Sequence, residues 1–330
     1  MSPATTAEAP VAVAGPVAAA RKPAARGTNG FAGRHVLSMD QYGPADLTSL
    51  FAATEHVGTR MAGGRLDRPL AGRLLMSAFF ERSTRTRLSH EAAMIRLGGG
   101  VSGFADPTMT RAGGSTKESD DDIARMLSLY ADVVVVRHPD TGWPARVAEL
   151  THGALVVNGG DGVGEHPTQA LVDLFTLWRT FGRLDGLRVV LTNDLRMRCT
   201  HSLLLGLRHF GCTVYGVSAP GKAPAAAAGS TTVIPHDDLP ALLPDVDVVY
   251  SSPTVAAETP DAPRDDGIVL NRRLLEKYAN DHTVVLHPLP RRTELATDVD
   301  DTRFNGYWAQ AANAVPVRMA LLSLMFDAPL

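Results

Sequence analysis

A stretch of hydroxyl and guanidinium groups, Ser83-Thr84-Arg85-Thr86-Arg87, has the clearest chemical potential in the sequence. The apolar run from Leu74 to Phe80 before it predicts a buried strand, and apolar residues after it recur at helical spacing until Gly98. The stretch therefore lies at a helix N-terminus, where free N–H groups and the helix dipole attract anions. Its arginines add planar donors that suit phosphate oxygens. Taken alone, the stretch fits a phosphate site and a plain capped helix start equally well.

Three further polar clusters follow apolar runs that predict strands. They read Arg137-His138-Pro139, His166-Pro167-Thr168-Gln169 and His287-Pro288-Leu289-Pro290-Arg291. A lone histidine before a helix is more often a capping or packing residue than a functional one. In open α/β sheets, however, ligands bind at the carboxyl ends of the strands, where all four clusters are expected to lie. Together the clusters indicate a binding site.

Alternating strand and helix patterns carry these clusters. From Leu74 to Trp178 the order strand, helix, strand, helix predicts a parallel sheet covered on both faces. A second unit of the same kind opens with a strand over Arg188 to Thr192, and no Gly-x-Gly-x-x-Gly fingerprint follows it, which disfavours a dinucleotide site. The expected fold is α/β, with two doubly wound parallel-sheet domains. An apolar helix over Ala311 to Phe326 must pack on one of them.

Composition limits the classes of protein. A chain of 330 residues with 45% apolar and 20% charged residues is typical of a two-domain globular protein. The net charge of −3 favours neither a nucleic-acid nor a membrane partner, and no apolar run reaches membrane-spanning length. Cys199 and Cys212 have no metal or redox spacing, which favours a reducing, cytoplasmic location. Residues 1–33, rich in Ala, Pro and Gly, predict a disordered tail.

Together the clusters resemble the aspartate/ornithine carbamoyltransferase family, from about His35 to the C-terminus. The resemblance rests on five motifs: Phe79-Phe80-Glu81-Arg82-Ser83-Thr84-Arg85-Thr86-Arg87, Val136-Arg137-His138-Pro139, His166-Pro167-Thr168-Gln169-Ala170-Leu171-Val172-Asp173, His287-Pro288-Leu289-Pro290-Arg291 with Glu294, and Gln310-Ala311-Ala312-Asn313-Ala314-Val315-Pro316-Val317-Arg318-Met319. The form His-Pro-Leu-Pro-Arg is similar to the aspartate branch. His90 stands where the family usually has a phenylalanine, which we interpret as a packing substitution.

The resemblance implies a carbamoyl-phosphate domain over residues 34–165 and an amino-acid domain over residues 166–304. Residues 305–330 would form a helix that packs back on the first domain. It also implies a homotrimer whose active sites lie between subunits. Lys117, in the long polar loop 106–119, would then reach a neighbour's site, although a solvated surface lysine is the default interpretation of this residue.

The resemblance also implies roles in the transfer of a carbamoyl group. The phosphate-binding residues would be Ser83, Thr84, Arg85, Thr86 and, from a neighbouring subunit, Lys117. The donors to the carbonyl oxygen would be Thr86, Arg137 and His166. The groups that orient the carbamoyl NH₂ would be Gln169 and the backbone carbonyls near Pro288 and Leu289. No metal or other cofactor is expected, and the leaving phosphate would take the amine proton.

The acceptor amine is where the chain departs from the family. Pro253 and Val255 replace the Arg-x-Gln pair that holds aspartate in the aspartate branch, whereas Arg198 keeps one carboxylate-binding arginine. Glu258 adds a negative charge to the same loop, and the carbonyl of Leu289 would face the acceptor as well. We therefore expect a small amino acid with one carboxylate and a second amine, such as 2,3-diaminopropionate. Two alternatives remain: a homologue without catalytic activity, and an aspartate enzyme whose loop brings in Arg264, Arg272 or Arg273.

Overall fold

Two parallel sheets form the frame of the protein, whose computed structural model describes residues 29–64, 66–218, 233–253 and 267–329. The first sheet contains β1 (Leu74–Phe79), β2 (Gly100–Phe104), β3 (Val133–His138) and β4 (Leu155–Asp161), in the order β2-β1-β3-β4. All six residues of β3 are buried, as expected for a strand covered on both faces. Because β2 and β3 flank β1, the chain turns opposite ways after β1 and β3, and a crevice opens between their carboxyl ends.

Five helices cover the first sheet or continue from it. They are α1 (Pro44–Ala62), α2 (Arg85–Arg96), α3 (Asp120–Tyr130), α4 (Trp143–Leu150) and α5 (Pro167–Phe181). The apolar faces of α3 and α4 pack on one side of the sheet, around Val134, Val136 and Val147. The other side joins a larger core that continues through α5 into the second unit.

The second sheet has five parallel strands in the order β7-β6-β5-β8-β9. The strands are β5 (Arg188–Thr192), β6 (Thr213–Val217), β7 (Val233–Pro235), β8 (Val248–Ser251) and β9 (Val284–Leu286), and the helices are α6 (Arg198–Leu207), α7 (Leu239–Leu242) and α8 (Arg272–Tyr278). Here the chain changes direction between β5 and β8, which gives a second crevice at their carboxyl ends. The expected class, two α/β units with parallel sheets, is confirmed.

The last helix, α9 (Tyr307–Met325), packs on α1, α2 and α5. Its buried residues include Val317, Leu321 and Met325, so it completes the core of the first unit. No helix in the described part of the chain is long and apolar enough to cross a membrane.

The start of the chain requires a correction to the expected tail. Phe31 has no exposed surface, and its ring stacks on Tyr42 with centroids 4.4 Å apart. The backbone N–H of Gly33 donates to the carbonyl of Met325 at 2.9 Å. Residues 29–33 are therefore part of the packed structure, and the predicted boundary at residue 33 was too late. Residues 1–28 lie outside the described residues.

Candidate active site

A cavity of about 460 Å³ opens where the two crevices face each other. Ten of the predicted site residues line it: Ser83, Thr84, Arg85, Thr86, Arg137, His166, Gln169, Arg198, Pro288 and Leu289. Pro253 also lines it, after β8. Lys117 lies elsewhere on its own subunit, with Nζ 2.6 Å from Oδ1 of Asp120. The structure therefore brings together from both units most of the groups that the sequence nominated.

The N-terminus of α2 forms one wall of this cavity. Thr84 is the N-cap residue, but its side chain makes no capping hydrogen bond, and the first turn of the helix carries no acidic residue. The first N–H groups of α2 are therefore not satisfied by a cap, and the positive end of the helix dipole is not neutralised locally. The plain capping interpretation of this stretch is not realised, and the wall is suited to an anion.

Three buried polar side chains meet at the floor of the cavity. Nη2 of Arg137 lies 3.0 Å from Oγ1 of Thr86 and 3.0 Å from Nε2 of His166, and these last two atoms are also 3.0 Å apart. Nε of Arg137 donates to the carbonyl of Gly159 at 2.8 Å, which fixes the guanidinium plane. The backbone N–H of His166 donates to Oγ of Ser202 at 2.9 Å, which anchors the start of α5. The three polar atoms therefore lie within 3.0 Å of one another at one point of the floor.

Burial determines the protonation states of Arg137 and His166 on this floor. Desolvation, followed by repulsion from Arg198, lowers the pKa of Arg137 to about 9, which leaves the guanidinium charged at neutral pH. Desolvation, followed by repulsion from Arg137, holds the pKa of His166 well below its ordinary value, so the ring is neutral. A neutral ring whose Nε2 accepts from Arg137 carries its proton on Nδ1, which lies 3.4 Å from Oγ1 of Thr168.

The loop after β9 forms the roof. The backbone N–H of Leu289 donates to Nδ1 of His287 at 2.8 Å, so the proton of this ring is on Nε2, which donates to Oε1 of Glu294 at 2.9 Å. Leu289 has φ +56°, a left-handed conformation that costs free energy in a residue with a side chain and persists only where surrounding contacts hold it. The loop is therefore a fixed wall, with Pro288 and Leu289 against the cavity.

The acceptor side is less complete. Nη1 of Arg198 lies 2.9 Å from Oε2 of Glu81 and 3.1 Å from the carbonyl of Gly162, so this arginine joins the second unit to the first. Arg272 contacts Asp298 through its backbone N–H and through Nε, and it is not among the cavity residues. Residues 254–266, which include Glu258, Val255 and Arg264, lie outside the described residues, so the predictions made for them are untested.

Sequence reasoning missed two arginines that line the cavity. Arg82 directly precedes the Ser83–Arg87 stretch, and Arg292 directly follows His287-Pro288-Leu289-Pro290-Arg291, whereas Arg291 turns away and pairs with Asp300 (Nη2 to Oδ2, 2.7 Å). Proximity to the motifs was the available signal. In the described part of the chain, no group of three or more His, Cys, Asp or Glu side chains could hold a metal ion.

Comparison with family models identifies the chain. Residues 34–179 match the carbamoyl-P binding domain of aspartate/ornithine carbamoyltransferases, and residues 185–325 match their Asp/Orn binding domain. The chain belongs to this family. Like the rest of the family, it is a carbamoyltransferase, which moves the carbamoyl group of carbamoyl phosphate to an amino acid.

Relatives of this carbamoyltransferase include two aspartate carbamoyltransferase catalytic subunits. The one from Picrophilus torridus is 36% identical over 88% of this chain and 97% of its own length. The one from Chromobacterium violaceum is 39% identical over 89% of this chain and 98% of its own length. Aspartate transcarbamoylase from Trypanosoma cruzi in complex with carbamoyl phosphate superposes with a TM-score of 0.82 at 29% identity, covering 89% of this chain and 97% of that one. The predicted family is thus confirmed.

Proposed function

We propose that the cavity binds carbamoyl phosphate with its phosphate at the N-terminus of α2 and its carbonyl oxygen on the floor. The observation that carries this proposal is the convergence of Thr86, Arg137 and His166 on one point beneath an uncapped helix N-terminus. The phosphate would take hydrogen bonds from Ser83, Thr84, Arg85 and the N–H groups of α2. Phosphate and carbonyl oxygen are the two sites where negative charge grows during transfer, so both would be stabilised.

The transfer requires no protein nucleophile. The lone pair of the acceptor amine attacks the carbonyl carbon, a C–N bond forms, and the C–O bond to phosphate breaks. The proton lost by the amine passes to the departing phosphate. Each donor to the carbonyl oxygen typically contributes about 3–4 kcal/mol at the transition state, and positioning supplies most of the remaining acceleration.

His166 must change tautomer to serve as such a donor. In the structure its Nε2 faces Nη2 of Arg137 and accepts. When a carbonyl oxygen takes the hydrogen bond of Arg137, Nε2 is free to carry the proton, and Nδ1 can accept from the hydroxyl of Thr168. A neutral ring makes this switch without a net change of charge, which fits the strongly lowered pKa of His166.

Lys117 would complete the phosphate site from a second copy of the chain, in a homotrimer. Lys117 does not line the cavity of its own subunit, which is what a contribution to a neighbour requires. Leu88 and Ile95 on α2 and Met109 in the loop of Lys117 are 51%, 60% and 83% exposed, respectively. Exposed apolar side chains beside the cavity and on the loop that would cover it are typical of a subunit interface.

For the acceptor we propose a small amino acid with one carboxylate and a second amine, such as 2,3-diaminopropionate. Arg198 follows β5 and could bind the carboxylate, with the carbonyl of Leu289 facing the attacking amine. Pro253 follows β8 at the same crevice and offers no donor for a second carboxylate. A buried carboxylate without a partner costs several kcal/mol, on the order of 3–5, which disfavours aspartate in this geometry. Glu258 would add attraction for an ammonium group.

Aspartate is the second candidate, and Arg292 favours it. Its side chain lines the cavity, and no carboxylate in the described ranges forms an ion pair with it. It could therefore take the second carboxylate in place of the missing Arg-x-Gln pair. The curated relatives at 36–39% identity are named aspartate carbamoyltransferases, which favours the same substrate.

A competition assay decides between the two acceptors. Phosphate release that depends on carbamoyl phosphate is measured with L-aspartate, L-2,3-diaminopropionate and L-ornithine, and the ureido products are identified by mass. We expect the highest kcat/KM for the diamino acid. A clear preference for aspartate would refute the diamino acid and leave carbamoyl transfer intact. Absence of transfer to any amine, with carbamoyl phosphate still bound, would instead support the non-catalytic alternative.

A further inference from the structure

Asp173 is a buried carboxylate one helical turn after Gln169, and it does not line the cavity. Its Oδ1 accepts from Nε2 of Gln169 at 2.7 Å and from Nε2 of Gln310 at 2.6 Å, and its Oδ2 accepts from the hydroxyl of Tyr250 at 3.0 Å. Burial raises the pKa of Asp173 to about 6, so the group is ionised at neutral pH and can only accept hydrogen bonds. In the described ranges no cation forms an ion pair with it.

This carboxylate fixes which way the amide of Gln169 points. Because an ionised carboxylate has no hydrogen to donate, the NH₂ end of the amide must face Asp173. The amide oxygen then points the other way, and Gln169 lines the cavity. Asp173 thus supplies the contact that distinguishes the two ends of this amide.

Oδ1 of Asp173 is also linked to the roof of the cavity, through Gln310. Gln310 on α9 donates to Asp173, so its own amide oxygen is left to accept from the backbone N–H of His287 at 2.9 Å. His287 in turn accepts from the N–H of Leu289 at 2.8 Å. A continuous chain of oriented hydrogen bonds therefore joins a side chain of α5 to the loop after β9, through one carboxylate.

We propose that Asp173 is a positioning residue for recognition of the carbamoyl NH₂ group: it turns the oxygen of Gln169 towards that group and, through Gln310 and His287, holds the loop of Pro288 and Leu289 whose carbonyls accept the other N–H. The inference rests on the proposed binding of carbamoyl phosphate in this cavity. It concerns the NH₂ end of that substrate and not its phosphate. Asp173 should therefore set the preference for carbamoyl phosphate over acetyl phosphate, in which a methyl group replaces the NH₂.

The experiment measures kcat/KM for carbamoyl phosphate and for acetyl phosphate with one fixed amine, and takes their ratio as the discrimination. Asp173→Ala is expected to lower this ratio about tenfold or more, with acetyl phosphate affected least. Asp173→Asn retains an acceptor oxygen for both glutamines and should restore most of the ratio. Tyr250→Phe is the matched control, because it removes a hydrogen bond to the same carboxylate at Oδ2 and leaves Oδ1 in place; its ratio should stay within about twofold of wild type.

A double-mutant cycle separates positioning from a general structural effect. In a Gln169→Ala background, Asp173→Ala should lower the ratio by a smaller factor than it does in the wild type, because only the route through Gln310 and His287 remains. A wild-type ratio in folded Asp173→Ala would overturn the proposal, and so would full additivity of the two changes. If Asp173→Ala fails to fold, Gln169→Ala and Gln310→Ala decide, since a wild-type ratio in either is incompatible with the chain of bonds. Failure of the wild-type enzyme to use carbamoyl phosphate would refute the proposed function itself.

Discussion

The two halves of the cavity differ in how completely the chain prepares them. On the carbamoyl-phosphate side, Thr86, Arg137 and His166 are buried and bonded to one another, and the backbone of Gly159 and the side chain of Ser202 hold them. On the acceptor side, Arg198 pairs with Glu81 of the other unit, and Pro253 offers no donor. The side chains of the first half are fixed by contacts within the protein, whereas the second is the half in which the chain departs from the pattern of its family.

The difference between the two halves follows from the interactions of their charged groups. Two guanidiniums lie near each other where the halves meet, since repulsion between Arg137 on the floor and Arg198 on the acceptor side contributes to the lowered pKa of Arg137. Negative charge that develops on a ligand between these two cations would reduce that repulsion. Glu81 pairs with Arg198 (Oε2 to Nη1, 2.9 Å), and an acceptor carboxylate must compete with it for this arginine. We therefore expect the first half to supply most of the affinity for carbamoyl phosphate and the second half to set the selectivity among amines.

The largest expected effect comes from removing the guanidinium of Arg85, in the first half of the cavity. Arg85→Ala removes a planar phosphate contact at the N-terminus of α2, and kcat/KM for carbamoyl phosphate should fall by about a thousandfold or more. Arg87→Ala is the matched control, because Arg87 lies two residues away, pairs with Glu91 on the helix surface at 2.7 Å and does not line the cavity. Equal activity of the two folded variants would contradict the phosphate assignment.

The next largest effect tests whether Lys117 of a second subunit completes the phosphate site. Lys117→Ala and Arg85→Ala should each be nearly inactive. In a trimer with shared sites, each mixed trimer has one intact site, so equal mixing should restore roughly a quarter of the wild-type activity. A chain that carries both changes, mixed with either single variant, restores nothing and serves as the control. No recovery after subunit exchange has been verified would argue against a site between subunits.

A moderate effect is expected from adding a cation to the acceptor side of the cavity. Pro253→Arg supplies a cation at the crevice after β8, so kcat/KM for aspartate relative to 2,3-diaminopropionate should rise by about tenfold. Arg292→Gln makes the complementary test, because aspartate use should fall only if Arg292 already holds the second carboxylate. A large loss of aspartate activity in Arg292→Gln would favour aspartate as the natural acceptor.

Much of the first half could be predicted from sequence because its parts are local. The strand before Ser83, the helix after it and the motif at His166 are contiguous signals, and the carboxyl-edge rule brings them together. In the second unit, the strand over Arg188–Thr192 was predicted with the observed bounds. The short strand Val233–Pro235, with two exposed residues, was missed, and so was the helix Arg272–Tyr278, in which only Leu275 is buried.

What sequence reasoning could not reach depends on contacts between distant positions. Asp173 and Gln310 are 137 residues apart, and no local pattern links a helix position to a partner in α9. Arg291 belongs to a motif and Arg292 does not, yet only Arg292 lines the cavity, because Asp300 holds Arg291.

The smallest expected effect concerns His90 on α2 and the pH dependence of the protein's stability. His90 is fully buried, its Nε2 has no hydrogen-bond partner, and its Nδ1 lies 2.7 Å from the carbonyl of Thr86 and 3.1 Å from Nε of Arg318. Desolvation, followed by repulsion from Arg318, holds the pKa of His90 well below 6.5. The folded protein thus keeps the ring neutral, whereas the unfolded chain binds a proton as the pH falls below about 6.5.

Stability must therefore decline with acid at His90, by up to about 1.4 kcal/mol per pH unit below the unfolded pKa. His90→Phe removes this proton uptake, so its free energy of unfolding, measured with urea at pH 7.5, 6.5 and 5.5, should decline less steeply than that of the wild type. The raised pKa of Asp173 contributes with the opposite sign, because protonation there favours the folded state as the pH falls below about 6, but it is common to both proteins and cancels in the difference. His90→Phe also loses the contact with Arg318, which changes the free energy of unfolding equally at every pH. Only the slope of that free energy against pH therefore tests the prediction. Identical slopes would mean that His90 is not held neutral on the buried face of α2.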